Sequence, residues 1–405
     1  MLRTMNLKTG PLLWLDSLPE PPQYPRLEED ISCAVLVIGG GEAGALTSYH
    51  LHQAGVDVVL VDRRTIGFGS TSANTGLLQF GNDKPLTSCI NTFGEANGVR
   101  YYKLCEKAVG DLETLSGQLE IFPDYVRRDS LYYATNAEDV PALQKEYEAL
   151  KQYGYDVTYL QKADIEQKFS FSKAAAIYAR GDAEINPYKL ANGLTLTAHK
   201  KGMRVYQETE ITTHITQDDH LVFFTKDRRQ IKAQKAVIAT GYETQEIKRN
   251  SNALINSSYA IATQPLDDFP GWHNRCLIWE TARPYLYIRT TADNRILAGG
   301  LDEATNIEAE RDAKLLHKKD LLLQEVQQLF PQLPDLRVDY FWSAAFGETH
   351  DGYPLIGTQP EFPHCYFPLG YGGNGTVYST IAAQVLTGLI TEGRHPDADM
   401  FRFDR

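Results

Sequence analysis

The chain has 405 residues, of which 42% are hydrophobic and 23% are charged, so it is long enough to form two domains with a sizeable core. Its formal charge is −12 and no Lys/Arg-rich run is present, which argues against a nucleic-acid partner. The five cysteines are scattered without C-x-x-C or Cys/His spacing, so neither a disulfide framework nor a metal site is indicated.

The first 31 residues contain several prolines and are predicted to be an N-terminal extension in the form of an extended strap. They lack the apolar core of a secretory signal. The apolar-biased stretch near the end, TVYSTIAAQVLTGLITEG, is interrupted by polar residues, whereas a membrane span needs about 20 mostly apolar ones. No transmembrane segment is therefore predicted, and a cytoplasmic enzyme is the simplest expectation.

A βαβ unit is the first element that the pattern predicts. Residues 34–38 (AVLVI) form an apolar run typical of a strand buried on both faces, and 45–54 favour a helix that ends at Gly55. Residues 56–61 (VDVVLV) are predicted to be a second strand, which Asp62 follows. The turn between the first strand and the helix reads Gly39-Gly40-Gly41-Glu42-Ala43-Gly44, the G-x-G-x-x-G arrangement that binds dinucleotides.

Along the rest of the chain, segments that suit the βαβ-containing unit alternate with segments that suit a second unit. Residues 235–241 (KAVIATG) suit another buried strand, whereas 131–136 and the helix-like 140–153 are expected to belong to a different part of the fold. A hairpin is predicted over 283–300 and an amphipathic helix over 308–330, ended by Pro331. This alternation predicts two domains, each built from non-contiguous pieces.

Several motifs together carry a resemblance to a known family. They are the polar, glycine-punctuated loop 67–78, the D-G-x-P-x-I-G segment 351–357, the glycine-rich GYGGNG at 370–375 and the closing FRFDR at 401–405. From about residue 32 onward the chain resembles the D-amino-acid oxidase and glycine oxidase family of FAD-dependent oxidoreductases.

The resemblance implies an α/β protein with a Rossmann-like FAD-binding domain and a second, α+β substrate domain of mixed sheet plus helices, as in glutathione-reductase-like folds. We expect the FAD-binding domain to comprise 32–110, 170–250 and 340–405, and the substrate domain to comprise 111–169 and 251–339.

The family's cofactor contacts carry over onto matching positions. Gly39, Gly41 and Gly44 form the turn, and the resemblance places Glu42 and Ala43 at the pyrophosphate. It places Asp62 and Arg63 at the ribose and Ile211 near adenine. The flavin is expected to contact Ser70, Thr71, Thr75, Gly76, Leu77, Tyr371, Gly372, Gly373, Asn374, Gly375 and Thr376. Ala73 and Ala344 stand where some members attach flavin covalently, so non-covalent FAD is implied.

Substrate-side residues are predicted on one strand and one loop. Tyr285, Tyr287 and Arg289 alternate onto one face, where glycine oxidases line their substrate pocket. Two tyrosines there suit an amine through stacking or cation–π attraction, although plain packing with Arg289 reaching solvent is the alternative. His350 is a candidate proton carrier, and a satisfied loop histidine is the alternative. No firm general base is indicated.

Carboxylate recognition is the point at which the chain departs from the family. Where amino-acid oxidases hold the substrate carboxylate with arginine, this chain has Phe346 and Gly373, neither of which pairs with a carboxylate. Arg289 or Arg283 would have to substitute. Leu297 stands where some oxidases place a lysine for oxygen activation, so the electron acceptor, oxygen or another, is left open.

The predicted function is therefore FAD-dependent oxidation of a small amine or amino-acid-like substrate by hydride transfer to flavin, giving an imine that hydrolyses. Two alternatives stay open. One is dehydrogenation of a hydroxyl-bearing metabolite on the same fold, which predicts a cationic substrate pocket. The other is a non-catalytic flavoprotein or electron-transfer subunit.

Overall fold

The fold consists of two β-sheets with helices packed on them. The computed structural model describes residues 6–333 and 335–405. The strands, numbered along the chain, are β1 (Lys8–Thr9), β2 (Ile31–Ile38), β3 (Val58–Val61), β4 (Leu77–Leu78), β5 (Val126–Tyr133), β6 (Val157–Gln161), β7 (Ala175–Glu184), β8 (Arg204–Tyr206), β9 (Ile211–Thr216), β10 (Leu221–Thr225), β11 (Gln230–Ile238), β12 (Ala253–Thr263), β13 (Leu277–Glu280), β14 (Leu286–Thr290), β15 (Ile296–Glu303), β16 (Val338–Thr349), β17 (Leu355–Thr358) and β18 (Cys365–Leu369).

The α-helices are numbered in the same way. They are α1 (Leu13–Asp16), α2 (Glu42–Gln53), α3 (Leu86–Phe93), α4 (Glu95–Ser116), α5 (Val140–Gln152), α6 (Lys162–Lys168), α7 (Pro187–Lys200), α8 (Thr244–Ile247), α9 (Glu308–Ala313), α10 (Leu315–Leu329) and α11 (Gly375–Thr391). The helix predicted over 308–330 is thus two helices, α9 and α10, that meet at Lys314. Within the described ranges, no helix combines the length and apolar character that crossing a bilayer requires.

The smaller sheet contains the predicted βαβ unit. Its order is β17-β18-β11-β2-β3-β8, and the neighbours β11, β2, β3 and β8 run parallel. The side chains of β3 are all buried, as the continuous apolar run predicts. Helix α2 connects β2 to β3 and packs against α7 and α11. The Rossmann-like arrangement is confirmed.

The larger sheet has ten strands and carries the substrate-side residues. Its order is β1-β16-β12-β15-β14-β13-β5-β7-β4, with β6 beside β7. The predicted hairpin is β14 and β15, in which Tyr287 lies opposite Gly299. A Cβ atom on Gly299 would lie 2.3 Å from the Tyr287 hydroxyl, so the tyrosine crosses over its neighbour only because that residue has no side chain.

The N-terminal segment lies along the large sheet. Strand β1 pairs with β16, and Ala345 donates its backbone N–H to the carbonyl of Leu7 at 2.8 Å. Trp14, in α1, is buried and donates its indole N–H to the carbonyl of Asn74 at 2.6 Å. The extension therefore contacts both the substrate-side sheet and the loop that follows the short 3₁₀ helix Ser70–Ala73.

Sheet membership differs from the predicted domain division at three segments. Strands β4, β7 and β16 belong to the large sheet, whereas the prediction assigned 32–110, 170–250 and 340–405 to the FAD-binding domain. The two longer strands pair with others of that sheet along most of their length, β7 with β5 and β16 with β12. The division of the chain into those domains stays a prediction.

Candidate active site

A cavity of about 360 Å³ lies between the two sheets. One end is formed by the β2–α2 turn and the residues that follow β3, and the other by β14, β15 and β16. The glycine-rich loop before α11 contributes to the wall between those ends.

The β2–α2 turn fits a pyrophosphate. Gly39 has a φ of +108°, and a Cβ atom on Gly44 would lie 1.8 Å from the carbonyl oxygen of Gly39, so strand and helix approach closely only because both are glycine. Helix α2 begins after Gly41, which offers no side-chain cap to the helix N-terminus. The Ser70 hydroxyl beside it is buried without a hydrogen-bond partner among the described residues. An anion is favoured at such a position.

Asp62 lies where β3 ends, at the same end of the cavity. Its carboxylate accepts hydrogen bonds from the backbone N–H groups of Gly40 and Arg64, both at 2.6 Å. Burial raises the pKa of this carboxyl. Arg63 and Arg64 both pair with Glu243, so two guanidinium groups share one carboxylate at this end of the cavity.

Glu42 joins three segments of the cofactor side. Its carboxyl accepts hydrogen bonds from the hydroxyl of Thr376 at 2.6 Å and from the amide of Asn74 at 2.7 Å. Burial raises the pKa of Glu42 to about 7, against the opposing effect of these two hydrogen bonds. The group is therefore close to half-protonated near neutral pH.

Most of the predicted cofactor residues lie in the cavity wall. They are Gly39, Gly41, Glu42, Ala43, Asp62, Arg63, Ser70, Thr71, Thr75, Leu77, Ile211, Tyr371, Gly372, Gly373, Asn374 and Gly375. Three others stand behind the wall: Gly44 packs against Gly39, Gly76 accepts a hydrogen bond from Arg289, and Thr376 is buried against Glu42.

Aromatic side chains form one side of the substrate end. The rings of Tyr285 and Tyr287 are 5.8 Å apart, and Trp279 meets Tyr285 edge-on at 6.5 Å. All three line the cavity. Burial, and then the charge of Asp83, raises the pKa of Tyr285 well above its usual range, so the hydroxyl stays protonated.

Two carboxylates, Asp83 and Asp302, also line this end. Asp83 accepts a hydrogen bond from the backbone N–H of Gly373 at 2.9 Å. The Oδ1 atom of Asp302 is buried without a hydrogen-bond partner in the described part of the chain. Burial raises the pKa of Asp302 to about 6, and the nearby negative charges of Asp83 and Glu348 act in the same direction.

Arg289 and His350, named from the sequence as substrate-side residues, lie outside the cavity wall. The Arg289 guanidinium is buried and donates to the carbonyls of Gly76, Ile185 and Thr290. Two residues advance a strand by roughly 7 Å, which carries Arg289 past the cavity on the same face as Tyr287. The His350 side chain is exposed where β16 ends.

The two residues that the resemblance places where amino-acid oxidases have a carboxylate-binding arginine lie in the wall. Phe346 and Gly373 both line the cavity. Arg283 donates instead to the carbonyls of Glu280, Thr281, Ala282 and Asp83. Ala73 and Ala344 also line the cavity, whose wall contains neither histidine nor cysteine among the described residues. Leu297 is buried away from the wall.

Sequence reasoning missed Asp83, Asp302 and Trp279. For Asp302 a signal was present, because it is an acidic residue directly after the apolar run ILAGGL of a predicted hairpin strand. Asp83 lies in an unremarkable polar loop, GNDKP, and Trp279 precedes the hairpin. Neither of these two carries a local pattern that points to a cavity.

The chain is similar in sequence and in fold to a number of known proteins. The chain is 26% identical to gamma-glutamylputrescine oxidoreductase of Escherichia coli (strain K12), covering 93% of this chain and 87% of that protein. It is 22% identical to glycine oxidase of Bacillus subtilis (strain 168), covering 91% of this chain and 96% of that protein. The crystal structure of glycine oxidase from Geobacillus kaustophilus superposes with a TM-score of 0.78 at 21% identity, covering 92% of this chain and 99% of that one.

The family model described as DAO, FAD dependent oxidoreductase, matches residues 34–389. That range includes the βαβ unit, both sheets' central strands and the glycine-rich loop before α11. The cavity, with its glycine turn at the N-terminus of α2 and the unpartnered Ser70 hydroxyl, fits FAD. The chain belongs to the DAO family of FAD-dependent oxidoreductases.

Proposed function

We propose that this protein oxidises an amine whose reacting carbon carries no carboxylate. The observation that carries the proposal is the composition of the substrate end, where Phe346 and Gly373 line the cavity and no arginine or lysine does so among the described residues. Arg289 and Arg283 are both engaged by backbone carbonyls. A buried, unpaired carboxylate costs several kcal/mol.

FAD, when bound, supplies the oxidation by accepting a hydride from the carbon beside the nitrogen, which leaves an imine that water hydrolyses to a carbonyl compound and the released amine. The chain's own residues bind the substrate and orient it. Tyr285, Tyr287 and Trp279 supply an aromatic surface against which an alkyl amine packs. The Tyr287 hydroxyl, near Thr75 and Ser258, stays protonated because burial raises its pKa.

The relatives support an amine substrate over a hydroxyl-bearing one. One is named as an oxidoreductase of gamma-glutamylputrescine and another as a glycine oxidase. A hydroxyl-bearing phosphate ester would need a cationic pocket, whereas Asp83 and Asp302 make this end acidic. We further propose that FAD is held without a covalent bond and that the protein is cytoplasmic.

The test is anaerobic mixing of the FAD-loaded protein with matched pairs, each an amino acid and its decarboxylated amine, such as ornithine with 1,4-diaminobutane and alanine with ethylamine. We expect the amine to bleach the flavin absorbance at least about 100-fold faster, which corresponds to roughly 2.7 kcal/mol. Faster reduction by the amino acids would overturn the proposal, and reduction by glycerol phosphate alone would favour the hydroxyl alternative.

Phe346→Arg supplies the missing guanidinium and should move the preference toward amino acids. Phe346→Leu is the matched control, because it removes the ring without adding charge. A shift in both variants would mean that cavity size, and not charge, sets the preference.

A further inference from the structure

The substrate end of the cavity is lined by two carboxyl groups, and no basic side chain of the protein contacts their oxygen atoms in the described part of the chain. They belong to Asp83 and Asp302, and burial, together with the negative charge of Asp83, raises the pKa of Asp302. Neighbouring carboxylates repel one another, more strongly the more they are buried, unless a cation or a proton lies between them. The described chain supplies no lysine or arginine side chain to this part of the wall.

The nearest cations are occupied elsewhere. Lys318 pairs with Glu303 at 2.7 Å and donates to the carbonyl of Leu301 at 2.8 Å. Arg283 lies over the ring of Tyr285, yet its guanidinium donates to backbone carbonyls. Neither contacts a carboxylate oxygen of Asp83 or Asp302 in the structure.

Asp302 has a hydrogen-bond acceptor that no described residue of the protein uses. Its Oδ1 atom is buried without a partner among the described residues, and Ser258 and the nearby charge of Lys318 both favour its charged form. An unpaired buried acceptor is costly, so sites of this kind usually serve a ligand or a proton. The neighbouring tyrosines offer aromatic faces that also attract cations.

The cation that fits is not the reacting nitrogen. Hydride loss requires a neutral amine, and a carboxylate pair stabilises the protonated form of any amine that it contacts. A second, remote ammonium group has no such requirement. It neutralises the carboxylates while the reacting nitrogen lies elsewhere in the cavity.

We propose that Asp83 and Asp302 bind a second, protonated amino group of the substrate, so that the preferred substrate class is a diamine or longer polyamine. This inference rests on the proposed amine oxidation. It adds which chemical group, remote from the reacting carbon, the cavity recognises.

The test compares 1,4-diaminobutane with 1-aminopentane, which replaces the second ammonium by a methyl group, in anaerobic reduction of the FAD-loaded protein. We expect the diamine to have at least about tenfold higher kcat/KM, since a charge-assisted hydrogen bond contributes enough for a tenfold effect or more. Asp302→Asn should reduce the ratio of kcat/KM between the diamine and the monoamine to about one, because the neutral amide no longer attracts the second ammonium group. Asp267→Asn, an exposed carboxylate on a loop of the same sheet, is the matched control.

A binding measurement separates this inference from the proposed function. Calorimetry with 1,4-bis(trimethylammonio)butane, which lacks the lone pairs that oxidation needs, should show binding that Asp302→Asn weakens at least about tenfold. Butyltrimethylammonium should bind weakly to both proteins. This readout holds even if no amine reduces the flavin, a result that would overturn only the proposed function.

Three results would overturn the inference itself. The first is equal reduction by diamine and monoamine in the unaltered protein. The second is an equal loss for both substrates in Asp302→Asn, which would make the carboxylate a partner of the reacting nitrogen. The third is tight binding of Mg²⁺ or Ca²⁺ that Asp302→Asn abolishes.

Discussion

The carboxylate of Asp83 accepts a hydrogen bond of 2.9 Å from the backbone N–H of Gly373, which joins segments 290 residues apart. A Cβ atom on Gly373 would lie 2.6 Å from that carboxylate and 2.7 Å from the Tyr285 hydroxyl. The glycine-rich loop therefore reaches the cavity wall because position 373 has no side chain. At this point Gly373 of the loop contacts both Asp83 and Tyr285.

Gly373→Ala should lower kcat/KM for the best amine at least about tenfold, because the added methyl group displaces Asp83 or Tyr285, and tenfold corresponds to only about 1.4 kcal/mol. Anaerobic flavin reduction measures it. Gly110→Ala is the control: its Cβ would lie 3.7 Å from the nearest atom, within α4. That variant should keep full activity and gain roughly 0.5–1 kcal/mol of stability.

Glu42 should make cofactor affinity depend on pH. Burial raises its pKa to about 7, so the carboxyl is neutral below that pH and charged above it. A charged carboxylate repels the pyrophosphate, so affinity of the apoprotein for FAD should fall as pH rises through about 7. Glu42→Gln should flatten the profile in a fluorescence titration. A flat profile in the unaltered protein would contradict this role.

The same group affects folding stability with a definite sign. Because the folded-state pKa of Glu42 lies above its ordinary value of 4.5, the native state binds the proton more tightly than the unfolded state. Its contribution to stability is greatest in acid and falls as pH rises toward about 7. Urea titrations of Glu42→Gln should show a weaker fall over that range.

Asp62→Ala should weaken FAD binding at least about tenfold without unfolding the protein, since a lost hydrogen bond to a charged group costs about 1.5–3 kcal/mol. The residue accepts from Gly40 and Arg64 and lines the nucleotide end of the cavity. Fluorescence titration of apoprotein, with circular dichroism for folding, measures both effects. Asp57→Ala, which removes an exposed partner of Arg204 before the same strand, is the control. Unchanged FAD affinity in Asp62→Ala would remove the ribose role.

Arg289→Met should reduce stability and leave substrate preference unchanged. Removing the buried guanidinium leaves the carbonyls of Gly76 and Ile185 without their donor, at a cost of about 2–4 kcal/mol. Urea denaturation measures this, and Arg180→Met, an exposed partner of Asp156, should have little effect. If Arg289→Met instead abolished reduction by amino acids alone, Arg289 would be a carboxylate clamp.

Acid precipitation should release intact FAD into the supernatant. Ala73 and Ala344, which the resemblance places at the family's attachment positions, line the cavity, and the described cavity wall contains neither histidine nor cysteine. Absorbance of supernatant and pellet is the measurement. Flavin that stays with the pellet would show a covalent bond.

The sequence by itself determined the βαβ unit, because an apolar run, a glycine turn and a following strand are local patterns. The continuous apolar runs also indicate that both strands are buried on both faces. It also predicted Tyr285 and Tyr287 on one strand face, since alternation follows from the strand's pleat. The glycine-rich loop before α11 was also predicted from the sequence. Each glycine loses more conformational entropy on folding than another residue would, so four glycines in six positions indicate that the backbone approaches another group closely.

Only the tertiary structure decided which residues meet. Asp83, Asp302 and Trp279 come together from segments distant in sequence, and no local period records such pairings. Alternation placed Arg289 with the tyrosines, but the advance along the strand carries it past the cavity to the Gly76 carbonyl. Local pattern specifies an element and its faces, whereas the charge of a cavity depends on where different elements end, which long-range packing sets.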